Sequence, residues 1–367
     1  MKVGIGTAII TPDTMPVHLA GFIEPQVAHE VRDDLEVRAV YVAKNDVAVC
    51  LLVCDLMGMS HHFADPVRAA VGAAIGLERA AVLTSCVHTH AGPSTMAGTE
   101  ALGWPTPPGY LELLVERCVT AAVEAKAVAE DATLRFGRWA LPGNVSVNRR
   151  GHPYDPWFSA LDVHGASGRI ATIANLSIHP VALGPECLAV ATDWVGPFRR
   201  ALESRAGGQV VMLQGTSGDV NPHHVHRQNN DCDEDLFAEA DDLGAQLARA
   251  VHSALHTADE IASDGPAIER HHTFDVTTGD TNLSRAGQVI PVELIEWSLG
   301  PVRVVSVPGE GFHELGRQIE TRAGGSVLLA GLAPIWQGYL PEPFTAGYEE
   351  DTSYGRDFVA AVAAALT

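Results

Sequence analysis

An apolar run leads directly into two histidines and a Gly-Pro break in the stretch AAVLTSCVHTHAGP, residues 80–93. The apolar run predicts a buried strand. Residues two apart in an extended chain project from the same face, so His88 and His90 are expected to point together from the end of that strand. This arrangement indicates either the start of a Zn²⁺ site, because imidazole nitrogen is a preferred zinc ligand, or a pair of hydrogen-bonded structural histidines.

Two further predicted strands are each followed by a side chain that can bind a metal. The segment ANLSIHP, residues 174–180, delivers His179 at the end of an apolar run. The segment VSVPGEG, residues 305–311, places Glu310 after a Pro-Gly turn, between glycines that allow close approach of the backbone. Taken singly, His179 reads as a structural histidine and Glu310 as a solvated carboxylate. Taken with the first pair, they suggest one shared metal site.

Several polar segments are candidates for the lining of a pocket. The loop QGTSGDVNP, residues 214–222, is glycine-rich but lacks the lysine of a phosphate-binding loop. The histidines of HHVH, residues 223–226, form either a second metal site or a polar loop. Arg149 lies in a turn-like segment and suits binding of an anion or a carbonyl oxygen. The segment 192–196 predicts the start of a helix with Asp193 as its N-cap residue.

Composition limits the classes of function. The chain has 367 residues, of which 46% are hydrophobic, and a net charge of −21, which disfavours binding to nucleic acid or an anionic membrane surface. We find no transmembrane run and no signal peptide at the N-terminus, so we expect a cytoplasmic protein. The six cysteines show no paired CxxC spacing, which is typical of reduced thiols. The oligomeric state is left open.

The order of predicted elements indicates an α/β (α+β) fold. A hairpin is expected over residues 35–54, and helices over 64–75, 109–129, 195–205 and 235–256, with strands between them. We predict a single domain, residues 1–367, in which layered and partly antiparallel sheets carry helices on the outside. The glycines near the N-terminus lack the third glycine and the following helix of a dinucleotide-binding fingerprint.

Taken in order, these motifs resemble the catalytic domain of the neutral/alkaline non-lysosomal ceramidase family. The matching segments run through nearly the whole chain: VGIGTAIITP (3–12), LAGF (19–22), HTHAGP (88–93), NR (148–149), IHP (178–180), GDVNP (218–222), PGE (308–310) and a tyrosine-containing region (339–348). Each motif is short, and the ordered set is far more specific than any one of them.

The resemblance implies a set of site residues. One Zn²⁺ would be held by His88, His179, Glu310 and Tyr339. The substrate carbonyl would be surrounded by His90, Arg149 and Tyr348, and Gly21 would border the pocket.

Three features depart from the family pattern. Asn221 stands where the family has a serine, so it can donate a hydrogen bond but cannot act as a hydroxyl nucleophile. The sequence ends at Thr367, so the C-terminal immunoglobulin-like domain of long ceramidases is expected to be absent. We also see no secretion signal in this sequence, although ceramidases act at membranes or outside cells.

We therefore predict a zinc-dependent, ceramidase-like hydrolase of a C–N amide bond, with a small-molecule amide or an N-acylsphingosine-type lipid as substrate. In this hypothesis Arg149, Asn221 and Tyr348 stabilise the oxyanion, and His90 carries a proton to the leaving amine. Two alternatives remain open. One is a metallo-esterase or phosphoesterase, with a second metal at residues 223–226. The other is a non-catalytic binding homologue.

Overall fold

The computed structural model describes residues 1–22, 24–96, 103–223, 234–262 and 264–367, with the backbone alone described at 234 and 235. Its strands are, in chain order, β1 (Lys2–Ile9), β2 (Val17–Leu19), β3 (Gln26–Ala28), β4 (Glu30–Val31), β5 (Glu36–Lys44), β6 (Val47–Cys54), β7 (Val82–Cys86), β8 (Glu130–Asp131), β9 (Thr133–Ala140), β10 (Ser146–Asn148), β11 (Trp157–Gly165), β12 (Gly168–Leu176), β13 (Ala189–Val190), β14 (Gln209–Gln214), β15 (Val220–Pro222), β16 (Asp259–Ile261), β17 (Pro266–Thr277), β18 (Val289–Leu299), β19 (Val302–Val307), β20 (Glu310–Gly311), β21 (Val327–Gly331) and β22 (Tyr339–Leu340). Its helices are α1 (His61–Ile75), α2 (Tyr110–Ala127), α3 (Val195–Ala206), α4 (Glu234–Leu255), α5 (His313–Arg322), α6 (Tyr348–Asp351) and α7 (Arg356–Leu366).

Three larger sheets organise these strands. Their strand orders are β7-β6-β5-β1-β8, β14-β12-β11-β9-β16 and β17-β18-β19-β21. Most neighbouring strands are antiparallel, including the predicted β5–β6 hairpin, but each sheet contains one parallel pair: β6 with β7, β12 with β14, and β19 with β21. The predicted fold class of layered, partly antiparallel sheets with helices outside is therefore confirmed.

The parallel pairs position the candidate site. Because both strands of a parallel pair end at the same edge of the sheet, the loops that follow them share that edge. His88 follows β7, His179 follows β12, and Glu310 follows β19. Buried hydrogen bonds join the three sheets near these ends: the Ser85 hydroxyl donates to the Gly331 carbonyl at 2.8 Å, and the Asn175 amide donates to the Leu329 carbonyl at 2.9 Å.

The helices cover the outer faces of the sheets. One face of the first sheet packs against α1 and α2, while its other face contributes Val40 and Leu51 to a core shared with Ile173 of the second sheet and Val304 of the third. Helix α2 packs so closely on β1 that a Cβ atom added at Gly4 would lie 2.1 Å from the Ala125 carbonyl oxygen. None of the described helices is both long and apolar enough to cross a lipid bilayer.

Two local predictions were wrong. Asp193 is not a helix N-cap: α3 is preceded by Trp194, and Asp193 adopts φ +55° while its carboxylate accepts backbone N–H groups of Ala182, Leu183 and Trp194. The Asp193 side chain thus stabilises the loop that follows His179. His88 does not continue an extended strand either, because β7 ends at Cys86 and His88 has φ +76°.

Candidate metal and catalytic site

Three histidines converge at the shared edge of the sheets. One ring nitrogen from each of His88, His90 and His179 lies within 4.8 Å of the others, and the Nε2 atoms of His88 and His90 are 3.3 Å apart. The rings of His88 and His179 have their centroids 4.5 Å apart. Histidines from two separate loops are therefore brought to one point. The left-handed turn at His88, rather than the pleat of a strand, brings the first two rings together.

Backbone carbonyls set which ring nitrogens face the cluster. The Nδ1 atom of His88 lies 2.6 Å from the Met57 carbonyl oxygen, and Nδ1 of His179 lies 3.0 Å from that of Ser217. A carbonyl oxygen only accepts hydrogen bonds, so each Nδ1 carries a proton and each neutral ring keeps a lone pair on Nε2. Histidine ligands of metals are usually oriented by a hydrogen bond of this kind.

Glu310 supplies an oxygen to the same point. Its Oε2 atom lies 3.1 Å from Nε2 of His88 and 3.6 Å from Nε2 of His179. The side chain is 5% exposed, Oε1 accepts a hydrogen bond from the Trp336 indole at 2.9 Å, and Oε2 has no hydrogen-bond partner among the described residues. A buried carboxylate oxygen without a donor, facing imidazole nitrogens, fits the donor set of a Zn²⁺ site.

Burial and neighbouring charge set the protonation of these groups. Burial lowers the pKa of His179 to about 3, with repulsion from His88 as the next cause, and burial likewise holds the pKa of His90 well below its usual range. Burial lowers the pKa of His88 too, but the facing Glu310 carboxylate outweighs it and the net pKa is raised. At neutral pH His90 and His179 are therefore neutral, as metal ligands and general bases must be.

A cleft of about 620 Å³ opens beside this cluster. It is lined by seven of the predicted site residues, namely Gly21, His90, Arg149, His179, Asn221, Tyr339 and Tyr348. His88 and Glu310 are not among the lining residues and are almost fully buried. Sequence reasoning did not assign the other lining residues to the site: Phe22, which ends the LAGF motif, and Glu24, Val181, Gly184, Pro185 and Glu186, which lie outside the quoted motifs.

Gly21 is required by the close approach of the His90 ring. A Cβ atom at this position would lie 2.4 Å from Nδ1 and 2.5 Å from Cγ of His90, and Gly21 has φ +124°. The adjacent Phe22 ring contacts His90 edge-on, with centroids 4.9 Å apart. The loop at Gly21 therefore packs directly on the His90 side chain.

The segment 217–221 connects the parts of the site. The backbone N–H of Arg149 donates to the Asp219 carbonyl at 2.8 Å, and that of His179 donates to the Val220 carbonyl at 2.9 Å. The buried Asp219 carboxylate accepts the N–H of His313, three residues beyond Glu310, at 2.8 Å. Asp219 is therefore a structural link, while Asn221, in β15, reaches the cleft.

Arg149, Tyr339 and Tyr348 line the cleft as one group of neighbouring side chains. The Arg149 guanidinium donates to the Gly218 carbonyl at 2.6 Å and forms an ion pair with Glu349, which sequence reasoning missed. Tyr339 is buried beside Glu310, and burial, with the Glu310 charge as the next cause, raises its pKa well above the usual value. Tyr348 is 46% exposed at the rim, with its ring 5.9 Å from that of Tyr339.

The predicted second histidine cluster is described only in part. His223 is exposed and does not belong to the group of three converging histidines. His224 and His226 lie outside the described residues, so the alternative with a second metal stays a prediction.

Two solved structures superpose closely on this chain. Neutral ceramidase from Pseudomonas aeruginosa superposes with a TM-score of 0.84 over 100% of this chain and 73% of that chain, at 18% sequence identity. The chain has the neutral ceramidase fold. A second structure, a ceramidase complexed with C2, superposes with a TM-score of 0.83 over 99% of this chain and 73% of that chain, at 16% identity.

Neither a scan against protein-family models nor a search of curated proteins found a match. The fold expected from the ordered motifs is thus confirmed by the solved structures, and the roles of individual residues remain proposals.

Proposed function

We propose that this protein is a zinc-dependent hydrolase of C–N amide bonds. One observation carries the proposal: the buried Oε2 atom of Glu310, which accepts no hydrogen bond while the His88 ring is neutral, faces the Nε2 atoms of His88 and His179 at the edge of a large cleft. The shared fold with neutral ceramidase supports the choice of an amide as the bond that is cleaved.

The metal would be held by His88, His179 and Glu310, with the phenol oxygen of Tyr339 as a fourth donor. A bound Zn²⁺ supplies Lewis acidity and lowers the pKa of a coordinated water from its bulk value towards about 7. His90 belongs to the same group of nitrogens, so two assignments are possible for it: a ligand, or a proton carrier beside the metal. We assign it as a proton carrier, because Glu310 can occupy the remaining position and His90 lines the cleft.

The chain's own residues perform the remaining chemistry. Hydrolysis adds water across the amide, so the acyl carbon gains a hydroxyl group and the leaving nitrogen gains a proton. The neutral His90 ring accepts a proton and delivers it to the leaving amine. Arg149, Asn221 and Tyr348 offer N–H and O–H donors from the cleft wall to the oxyanion that develops on the carbonyl oxygen.

The cleft suggests the class of substrate. Its volume of about 620 Å³ lies within the usual range for small-molecule sites. Phe22, Val181 and Pro185 provide apolar surface for an acyl chain, while Glu24 and Glu186 provide polar surface. We therefore propose N-acyl amides as substrates, with N-acylsphingosine-type lipids as one member of the class.

The test compares the zinc content and activity of the wild type with those of His179→Ala. We expect about one zinc per chain in the wild type, hydrolysis of N-acyl amides, and loss of both in the variant. A wild type that binds no zinc when zinc is supplied would contradict the proposal. Two metals per chain with faster cleavage of the matched ester or phosphoester would favour the alternative hydrolase. A zinc-loaded wild type without turnover of any of these would favour the binding homologue.

A further inference from the structure

We propose that Glu349 is a positioning residue that holds the Arg149 guanidinium in the cleft; this inference rests on the proposed function. Glu349 lies in the short helix α6, directly after Tyr348, and it carries no motif. It is not among the residues that line the cleft, so its effect on a substrate has to pass through its neighbours.

Glu349 is a buried charge with two partners. The residue is 1% exposed, and its two carboxylate oxygens form ion pairs with different arginines, Oε1 with Arg149 and Oε2 with Arg150. A carboxylate is almost never buried without such partners, because desolvation of an unpaired charge is costly. The position of Glu349 is therefore tied to those of the two guanidinium groups.

The two arginines differ in what else holds them. Arg150 also forms an ion pair with Glu350 at 3.2 Å and donates to the Thr345 hydroxyl at 2.6 Å. Arg149 has Glu349 as its carboxylate partner, and its other side-chain contacts are uncharged: the Gly218 carbonyl, and the Tyr339 ring, whose centroid lies 5.9 Å from the guanidinium carbon. Loss of the Glu349 charge would thus leave Arg150 anchored, while Arg149, with a side chain that is 22% exposed, could rotate into solvent.

The charges of this group are balanced. Two arginines, Arg149 and Arg150, face two glutamates, Glu349 and Glu350, at the junction of the loop after β10 with α6. The Glu349 carboxylate therefore joins α6 to the segment that carries Arg149.

The first test measures the chemical reactivity of each arginine in metal-free protein, without any substrate. Phenylglyoxal modifies accessible guanidinium groups, and peptide mass spectrometry distinguishes Arg149 from Arg150. In Glu349→Gln we expect modification of Arg149 to accelerate about ten-fold, since it loses its charge-assisted contact. In the matched control Glu350→Gln, which removes the same charge one residue away, Arg150 should react faster and Arg149 should not.

The second test uses kinetics of the zinc-loaded enzyme. Removal of an oxyanion donor typically lowers kcat by about 100-fold, and loss of its positioning should lower kcat by roughly 10-fold to 100-fold with a smaller change in KM. In an Arg149→Met background, Glu349→Gln should cause little further loss, because it acts through Arg149. An equal loss in both backgrounds would reduce Glu349 to a structural role.

Outcomes of the two tests are separable. Unchanged Arg149 labelling in folded Glu349→Gln overturns the inference, whatever the enzyme catalyses. A wild type without amidase activity contradicts the proposed function, while the labelling still decides whether Glu349 holds Arg149. If Glu349→Gln does not fold, Glu349→Asp keeps the charge and shortens the side chain, and it should give a smaller acceleration of Arg149 labelling. No acceleration in that variant would likewise overturn the inference.

Discussion

Replacement of Gly21 by alanine is expected to impair catalysis while leaving the metal in place. The three atoms nearest to the added Cβ would all belong to His90, and the closest, Nδ1, would be 2.4 Å away. Such a contact is far inside van der Waals range, so either the loop at Gly21 or the His90 ring must move. His88, His179 and Glu310 are not among those nearest atoms.

The magnitude follows from two terms. Alanine at φ +124° is strained, at a cost of about 1–3 kcal/mol, which corresponds to a fall in Tm of roughly 1–4 °C for a chain of this size. A shift of about 1 Å in a catalytic group typically costs about 100-fold in rate. We therefore expect a small loss of stability and a large loss of kcat.

The assay measures kcat, zinc content and Tm for the wild type, Gly21→Ala and the control Gly143→Ala. No described atom lies within 4 Å of a Cβ at Gly143, apart from that residue and its chain neighbours, so the control should behave as the wild type. Wild-type kcat and Tm in Gly21→Ala would refute the reasoning. Loss of zinc together with activity would instead make His90 a metal ligand.

Three further predictions concern individual carboxylates. Glu310→Gln keeps the shape of the side chain but removes its charge. Zinc affinity, measured by chelator competition, should fall by more than about 100-fold, because loss of a residue that only hydrogen-bonds to a ligand already costs about 10-fold to 100-fold. Unchanged affinity would exclude Glu310 as a ligand. Although burial alone would raise the pKa of Glu293, Arg68 and Arg79 lower this pKa to about 2. The ionised carboxylate should therefore add about 2 kcal/mol to the free energy of unfolding at neutral pH, and this contribution should be lost as the pH falls from about 4.5 towards 2. Urea denaturation against pH should show this loss in the wild type and not in Glu293→Gln. Burial raises the pKa of Asp193 to about 6, so the folded protein holds this proton more tightly than the unfolded chain does. The free energy of unfolding should therefore fall by about 3 kcal/mol as the pH rises from about 4 to 6. Asp193→Asn should lack that component, and the same pH slope in this variant would disprove the assignment.

Much of the fold could be predicted from the sequence, because local patterns carry it. The apolar runs before His88, His179 and Glu310 are strands, as their composition indicates, and the long amphipathic stretch after residue 109 is helix α2. The candidate site residues were predicted through ordered motifs that resemble a family, and the structure brings seven of them to one cleft. Local patterns were least reliable in loops: Asp193 is a residue type common at helix N-caps, but its carboxylate hydrogen-bonds to the loop after His179.

By itself, the sequence determined which residues end the strands and which of them have the chemistry of metal ligands, because strand patterns and side-chain chemistry are local properties. Only the tertiary structure decided that three parallel strand pairs, in three different sheets, bring their ends together. It also decided that His88 turns through a left-handed conformation to meet His90, and that Glu349 supports Arg149. The strand-end contacts and the Arg149–Glu349 pair join residues far apart in the chain, and their energy comes from burial and pairing that exist only after the sheets have packed.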